Sequence, residues 1–365
     1  MRGRPWRVGV AGHDLRFFAP IDRWLRADGA VLRYDRWWGH RQGAPARAEE
    51  IAAWADALLC EFCLGNAVTH SRLRRARGGL PARLVVRLHR FELLHRYGND
   101  VDADAVDVFV VPSAHTRRAA LAAFDWPADR TVVVPNPVDA AVFDRPKTAL
   151  ARFTLGMAGF NRRVKRLDRA LDLLETLWRT DTRWRLRLKG DRPEDDPRFW
   201  SSPAERSYFT AQYERIAASP ALSTGVVFDA FGPVAPWLSG IGYILSPSEV
   251  ESFHLAAAEG MASRAVPVLA ARDGAAEVFD GRWVHASTEA AAAALSRLAA
   301  DPQARAAQGE AARQLIVARY DVGPIRAAWR HLLTPAALSP TGDTPGGTPG
   351  EPPADPAAST DRPAR

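Results

Sequence analysis

GYILSPSEVESFHLAAAEGMASRAVPVLAARDGAAEVF, residues 242–279, is the stretch whose reading decides the fold. The apolar run from Gly242 to Leu245 reads as a buried strand leading into Ser246-Pro247-Ser248. Glu251 follows, then a helix that should begin near Phe253, with Glu259 about two turns along it. That spacing lets both carboxylates point toward the same end of a sheet. Ser252 reads as the N-cap, which leaves the backbone N–H groups of Phe253, His254 and Leu255 free as an anion site. A diphosphate suits such a site, and a neighbouring carboxylate suits sugar hydroxyls. AVPVLAA then supplies the next apolar strand, so the stretch is one strand–helix–strand unit.

The same alternation extends in both directions. RVGVAG (from Arg7), VLRYDRW, ALLCEF, RLVVRLH, DVFVVPS and TVVVPNPV read as strands, with FFAPIDRWLRADG, EEIAAWADA and AHTRRAALAAF as helices between them. The pattern pauses over residues 139–152 and restarts with FTLGMAGF, WRLRLKG and GVVFDAFG. Continuous apolar strands separated by helices imply parallel sheets covered on both faces. The expected fold is therefore α/β, with two Rossmann-like domains facing across a central cleft that collects the loops after the strands. The expected boundaries are 1–145 for the first domain and 146–333 for the second with its closing helices. A Pro/Gly-rich tail, 334–365, is too poor in apolar residues to fold and should be disordered.

Composition narrows the class without choosing a ligand. The 365 residues are 47% hydrophobic and 25% charged, which fits a globular protein and not a collagen, a coiled-coil rod or a disordered chain. No apolar run reaches the ~18 residues of a membrane span, and the N-terminus lacks the apolar stretch of a signal peptide. Two cysteines point to a reducing cytoplasm. The net charge of +7 is almost all arginine, because the only lysines are Lys147, Lys165 and Lys189. Such charge attracts nucleic acid, anionic lipid or phosphorylated small molecules alike.

A second motif, GMAGFNRRVKRLDRALDLL from Gly156, ends a strand at Gly159 and places a basic loop before a helix near Leu167. Opposite the first anion site, that loop would clamp a diphosphate and stabilise a departing nucleotide. In the first half, His89 stands at the end of RLVVRLH, where its imidazole would face the cleft. Gly12, His13 and Asp14 follow the first strand and would approach a donor phosphate or an acceptor, or form a simple turn. Glu61 and Asn66, after ALLCEF, are acceptor-side candidates.

With these residues in view, the chain resembles the family 4 glycosyltransferases of the GT-B fold. Their signature is a glutamate, seven residues and a second glutamate, in a context like PS..E.FG....EAMA.G.PV; here it stands as PSEVESFHLAAAEGMASRAVPV. His254 stands where glycine is usual, and Arg264 replaces another common glycine. The resemblance implies that Glu259 binds the nucleotide ribose, that Glu251 contacts the transferred sugar, and that the amides of Ser252, Phe253, His254 and Leu255 hold the diphosphate. Lys165 matches the family's lysine. The usual arginine, five positions earlier, is Phe160, so Arg162 or Arg163 takes over its role. A histidine matching His89 commonly lies near the donor sugar.

The implied activity is a retaining, hexosyl-type transfer from a nucleotide-diphosphate-sugar to a hydroxyl of a glycan, glycolipid or small-molecule acceptor. His89, Glu251 and Lys165 would carry the chemistry, Gly12 would join the donor-binding residues, and no metal or other cofactor is needed. Two alternatives are a GT-B sugar-nucleotide epimerase and a basic nucleic-acid-binding protein. The latter lacks an RNA-binding aromatic motif, a helix-turn-helix signature and a zinc cluster. HSRLRRARGGLPARL, residues 70–84, is dense in arginine and would permit peripheral contact with an anionic membrane. CEFC reads as two half-buried structural thiols, the Asp102–Asp104 DAD as a solvated turn, and Trp37 and Trp38 as core packing.

Overall fold

The computed structural model describes residues 6–334 apart from Ala82. Two parallel sheets of six strands each organise the chain. The first comprises β1 (Arg7–Gly12), β2 (Val31–Arg36), β3 (Ala57–Glu61), β4 (Arg83–Arg87), β5 (Val108–Val111) and β6 (Thr131–Val133), in spatial order β2-β1-β3-β4-β5-β6. The second comprises β7 (Thr154–Ala158), β8 (Arg185–Lys189), β9 (Val226–Asp229), β10 (Tyr243–Ser246), β11 (Val266–Ala270) and β12 (Val284–His285), in order β12-β11-β10-β7-β8-β9. The strands β3, β5 and β10 are buried at every position, as their unbroken apolar runs require when helices cover both faces. Only the two-residue β12 was not expected, because WVH is too short to carry a period.

Each sheet has one place where the strand order reverses, and that is where a crevice opens beyond the strand ends. In the first sheet it lies between β1 and β3, and in the second between β7 and β10. The loops that the sequence singled out, at 12–14, 159–166 and 247–254, all leave these four strands. Helix Leu255–Ala262 packs so closely on β10 that a Cβ on Gly260 would lie 2.4 Å from the Ile244 side chain. A glycine there lets the helix carrying Glu259 lie down on the sheet.

The last helix departs from expectation. Val322–Leu333 was grouped with the second half, yet Ile325, Trp329, Leu332 and Leu333 pack with Val8, Val10, Phe18 and Val85 in the core of the first. Conversely Val138, Ala140 and Phe143, placed before the expected boundary, join the core of the second half. Local periodicity announces a helix but not the sheet that receives it. The chain thus crosses twice between halves, and the crossings run side by side: Val138 N–H donates to Tyr320 O at 2.8 Å, and Ala140 N–H to Asp321 Oδ1 at 3.2 Å. Of the expected tail, only Thr334 lies within the described residues.

Trp329 is fully buried, and the Arg87 guanidinium lies 5.1 Å from its ring centre. Trp329→Ala should therefore destabilise the first half by about 3–5 kcal/mol. Chemical denaturation monitored by hydrogen exchange should show the loss in strands β1–β4, and a loss confined to β7–β12 would contradict this packing.

Candidate active site

The cationic turn and the glutamate loop meet. Lys165, at the end of the 3-10 turn Arg163–Lys165, donates from Nζ to Glu251 Oε1 at 2.6 Å. Glu249 N–H donates to Val164 O at 3.0 Å, and Arg166 reaches Glu249 at 2.7 Å. The loops after β7 and β10 thus form one wall at the place where the sheet order reverses.

The helix begins later than expected. It runs from Leu255 to Ala262, and its N-cap is His254, not Ser252. Phe253, expected to offer its amide, is buried against Phe279 and Tyr320. The helix's free N–H groups belong to Leu255 and Ala256, because Ala257 and Ala258 already donate to His254 O.

His254 has φ +65° and Arg264 φ +64°, both in the left-handed region. That conformation costs a side-chain-bearing residue roughly 1 kcal/mol or more, which is why glycine suits both positions. Here each side chain supplies compensation. Arg264 pairs with Asp144 and with Glu310, the latter at 2.7 Å. The His254 ring is buried, and its Nδ1 meets Ser246 Oγ. Arg272, which can only donate, reaches Ser246 Oγ at 2.8 Å and Ser246 O at 2.9 Å. The Ser246 hydroxyl therefore gives its own proton to His254 Nδ1. This leaves the neutral ring's proton on Nε2, 3.7 Å from Glu251 Oε1.

The two glutamates occupy opposite electrostatic situations. Burial opposes the Glu251 charge, but His254, Lys165 and Ser248 outweigh it and bring the carboxyl down to about 2. Lys165 is the cation that counts at neutral pH, since burial pushes His254 itself down to about 3. Glu259 has no such neighbour, and burial alone raises it to about 7. A half-buried carboxyl facing no cation suits hydroxyl donors brought by a ligand.

Arg162 is the better placed of the two candidate arginines. Its guanidinium lies 3.7 Å from the Phe199 ring centre, and its Nε is buried with no hydrogen-bond partner. Burial lowers its pKa, the nearby charges of Glu205 and Asp196 oppose that shift, and those of Arg90 in the first half and Arg198 add to it. A half-buried guanidinium with an unused N–H is prepared for an anion. Arg163 is exposed, and its backbone N–H is bound to Glu205 at 2.8 Å.

In the first half, His89 is buried between the rings of Phe17 and Phe62, with centroids 4.7 and 4.3 Å away. Its Nε2 donates to Glu61 Oε1 at 3.0 Å. Glu61 and Asn66, expected on the acceptor side, are not available there. Glu61 is fully buried and also bound to Arg87, while Asn66 donates to Ala11 O at 2.8 Å and to Glu61 O at 3.1 Å. Asp14 is held by Arg16 at 2.6 Å, and His13 is half-buried beside it. Gly12, expected to touch the donor, is explained internally: a Cβ would lie 2.9 Å from Glu61 O.

Sequence reading missed His115, which crosses between the halves. Its Nε2–H donates to Glu251 O at 3.0 Å, and its backbone N–H donates to Glu277 Oε1 at 2.8 Å. Its signal in the sequence is only a lone histidine at the start of a helix.

The other motifs resolve simply. Cys60 and Cys63 are free and fully buried, deeper than expected. Asp102 is paired with Arg75, and Asp104 is exposed. Trp37 is in the core, whereas Trp38 is 75% exposed. In the basic stretch, Arg74, Arg75 and Arg77 are all ion-paired within the first half. Among the described residues no three His, Cys, Asp or Glu side chains are grouped to hold a metal ion, and no helix is long and apolar enough to cross a membrane.

Two parallel six-stranded α/β sheets, each with one reversal of strand order, are the GT-B arrangement of two Rossmann-like domains. Residues 152–301 match the family model described as glycosyl transferases group 1. No curated protein matches. Among solved structures, HepE of Anabaena in complex with UDP is similar at 14% identity and a TM-score of 0.72, covering 90% of this chain and 99% of that one. A glycosyltransferase of Rickettsia africae is similar at 13% identity and a TM-score of 0.70, with coverage of 90% and 99%. The sucrose-phosphate synthase of Thermosynechococcus elongatus is similar at 15% identity and a TM-score of 0.66, with coverage of 90% and 98%.

The Glu259 carboxyl has a sign that can be tested. Its folded pKa, about 7, lies above the ordinary glutamate value of 4.5. The free protein therefore holds the associated stability below the lower value and loses it as pH rises through the upper one. Glu259→Gln should raise the melting temperature of the ligand-free protein at pH 8, by an amount on the order of 1–3 kcal/mol, and leave it nearly unchanged at pH 4.5. Equal effects at both pH values would remove the unpaired carboxylate.

Proposed function

We propose that the enzyme transfers a sugar from a UDP-sugar to a hydroxyl acceptor with retention of anomeric configuration. What supports this is the meeting of Lys165 with Glu251 at the reversal point, with Arg162 on the same loop as Lys165 and Leu255, Ala256 and the unpartnered Glu259 on the helix that follows Glu251. The UDP held by the Anabaena structure supports uridine as the base.

Lys165 and Glu251 satisfy each other in the structure. On donor binding the lysine turns to the diphosphate and Glu251 to hydroxyls of the sugar, so the pair keeps two half-buried charges matched until substrate replaces each partner. Glu259 accepts from the ribose hydroxyls. The acceptor oxygen bonds to the anomeric carbon on the face that the diphosphate leaves. The carbon–oxygen bond to the diphosphate breaks, and the hydroxyl proton passes to the departing phosphate oxygen. Positioning and stabilisation of the leaving charge supply the catalysis. His89, fixed by Glu61 through Nε2, presents Nδ1 to the sugar. The first half takes the acceptor and the second the donor, and the protein works in the cytoplasm.

Lys165→Ala and Glu259→Ala should each reduce donor turnover, on the order of a hundredfold for the lysine. Steady-state assays with UDP-sugars check this, and wild-type turnover in both variants would remove the donor site. In a thermal-shift series with UDP, GDP, ADP and TDP, UDP should give the largest rise, because a ligand of the native state stabilises by mass action. A larger rise with another diphosphate would reassign the base.

A further inference from the structure

Four loops of the first half bring aromatic rings to one edge of the crevice. His13 follows β1, His40 follows β2, Phe62 follows β3, and Phe91 and His95 follow β4. The rings form a continuous chain: His13–Phe62 and His13–His40 at 5.3 Å, Phe62–Phe91 at 5.5 Å, His40–Phe91 at 5.3 Å and Phe91–His95 at 5.7 Å. With His89 beneath, four of the chain's nine histidines gather here. They stack on one another instead of converging on a point, which suits a surface that is read and not a metal that is held.

The surface is built rigidly. Phe62 adopts φ +67°, a conformation costly for an aromatic residue that fixes the ring's direction. The fully buried Glu92 accepts backbone N–H groups from His89 and Arg90, each at 3.0 Å, and from Cys63 at 3.4 Å. One carboxylate thus ties the loops after β3 and β4 together. The platform also faces the donor side, because at its ends Arg16 feels the charge of Arg198 and Arg90 that of Arg162.

Its chemistry is selective. Nearby carboxylates are spent: Asp14 on Arg16, Glu61 on Arg87 and His89, and Glu92 on backbone. What remains open is the half-buried Phe91 ring, backed by the buried Phe62, with the half-buried imidazoles of His13 and His40 and the exposed one of His95. Burial holds both His13 and His40 below the usual histidine range, so near neutrality each is an uncharged ring with one donor and one acceptor. Such a surface matches a ligand with a flat C–H face and a rim of hydroxyls better than it matches a phosphate or an alkyl chain.

We propose that the acceptor is a pyranoside, laid by its C–H face on the Phe91 ring, which the buried Phe62 backs, with its hydroxyls read by His13 and His40. This rests on the donor-site reading above and names the acceptor class for the same reaction. The test is saturation-transfer NMR on the full chain with UDP bound, using a panel of methyl pyranosides, with glycerol 3-phosphate and a serine peptide as competing probes. At least one pyranoside should receive saturation on its ring protons. Phe91→Ala should weaken its binding about threefold to tenfold and Phe91→Trp should restore it, with UDP binding to each variant serving as the check on folding. Saturation of only the glycerol phosphate or the peptide, or equal pyranoside signals from wild type and Phe91→Ala, would overturn the proposal. Absence of UDP binding to wild type would overturn the donor-site reading together with it.

Discussion

Everything at the site depends on one contact, the Lys165–Glu251 pair, formed where the order of the second sheet reverses. Adjacent parallel strands whose connecting helices lie on opposite faces leave a gap at their carboxyl ends. Here the gap is spanned by a cation from one loop and a carboxylate from the other. Two half-buried charges are tolerated because they neutralise each other, and the arrangement prepares both for a substrate that offers an anion to one and hydroxyls to the other. Glu259 has no partner of its own, and burial alone holds its proton near neutrality. The site is thus balanced at one glutamate and unfulfilled at the other.

The surrounding backbone explains two apparent anomalies together. His254 and Arg264 stand where the resembled motif has glycine, and both adopt the left-handed conformation that glycine most readily supplies. The strain is offset by side-chain bonding, through Ser246 and Arg272 at one position and Asp144 and Glu310 at the other. His254 in addition brings an imidazole N–H close to Glu251. The departure from glycine thus preserves the loop's shape while adding a polar group to the pocket.

The sequence made the two sheets legible because buried parallel strands are unbroken apolar runs, and it made the donor loops legible because charge and spacing lie within single segments. It did not make legible what depends on distant partners. Nothing in AARQLIVARYDVGPIRAAWRHLL says that its end docks on the first sheet, since amphipathicity is blind to which core receives it. The helix start was misread by two residues because Ser252 is a good capping residue, whereas the actual cap is a left-handed histidine. Glu61 and Asn66 follow a strand of the right kind but point inward, where Arg87 and backbone carbonyls hold them. The aromatic platform comes from four separated loops, three contributing one ring each and the loop after β4 two, and only the fold assembles it.

The central claim is that the diphosphate of a nucleotide-sugar is gripped between the turn at Lys165 and the amino end of helix Leu255–Ala262. A crystal structure with UDP tests it most directly. The account requires phosphate oxygens within hydrogen-bonding distance of Lys165 Nζ and of the Leu255 and Ala256 amides, with the ribose hydroxyls on Glu259. UDP seated elsewhere, with Lys165 still on Glu251 and Glu259 unengaged, would contradict it.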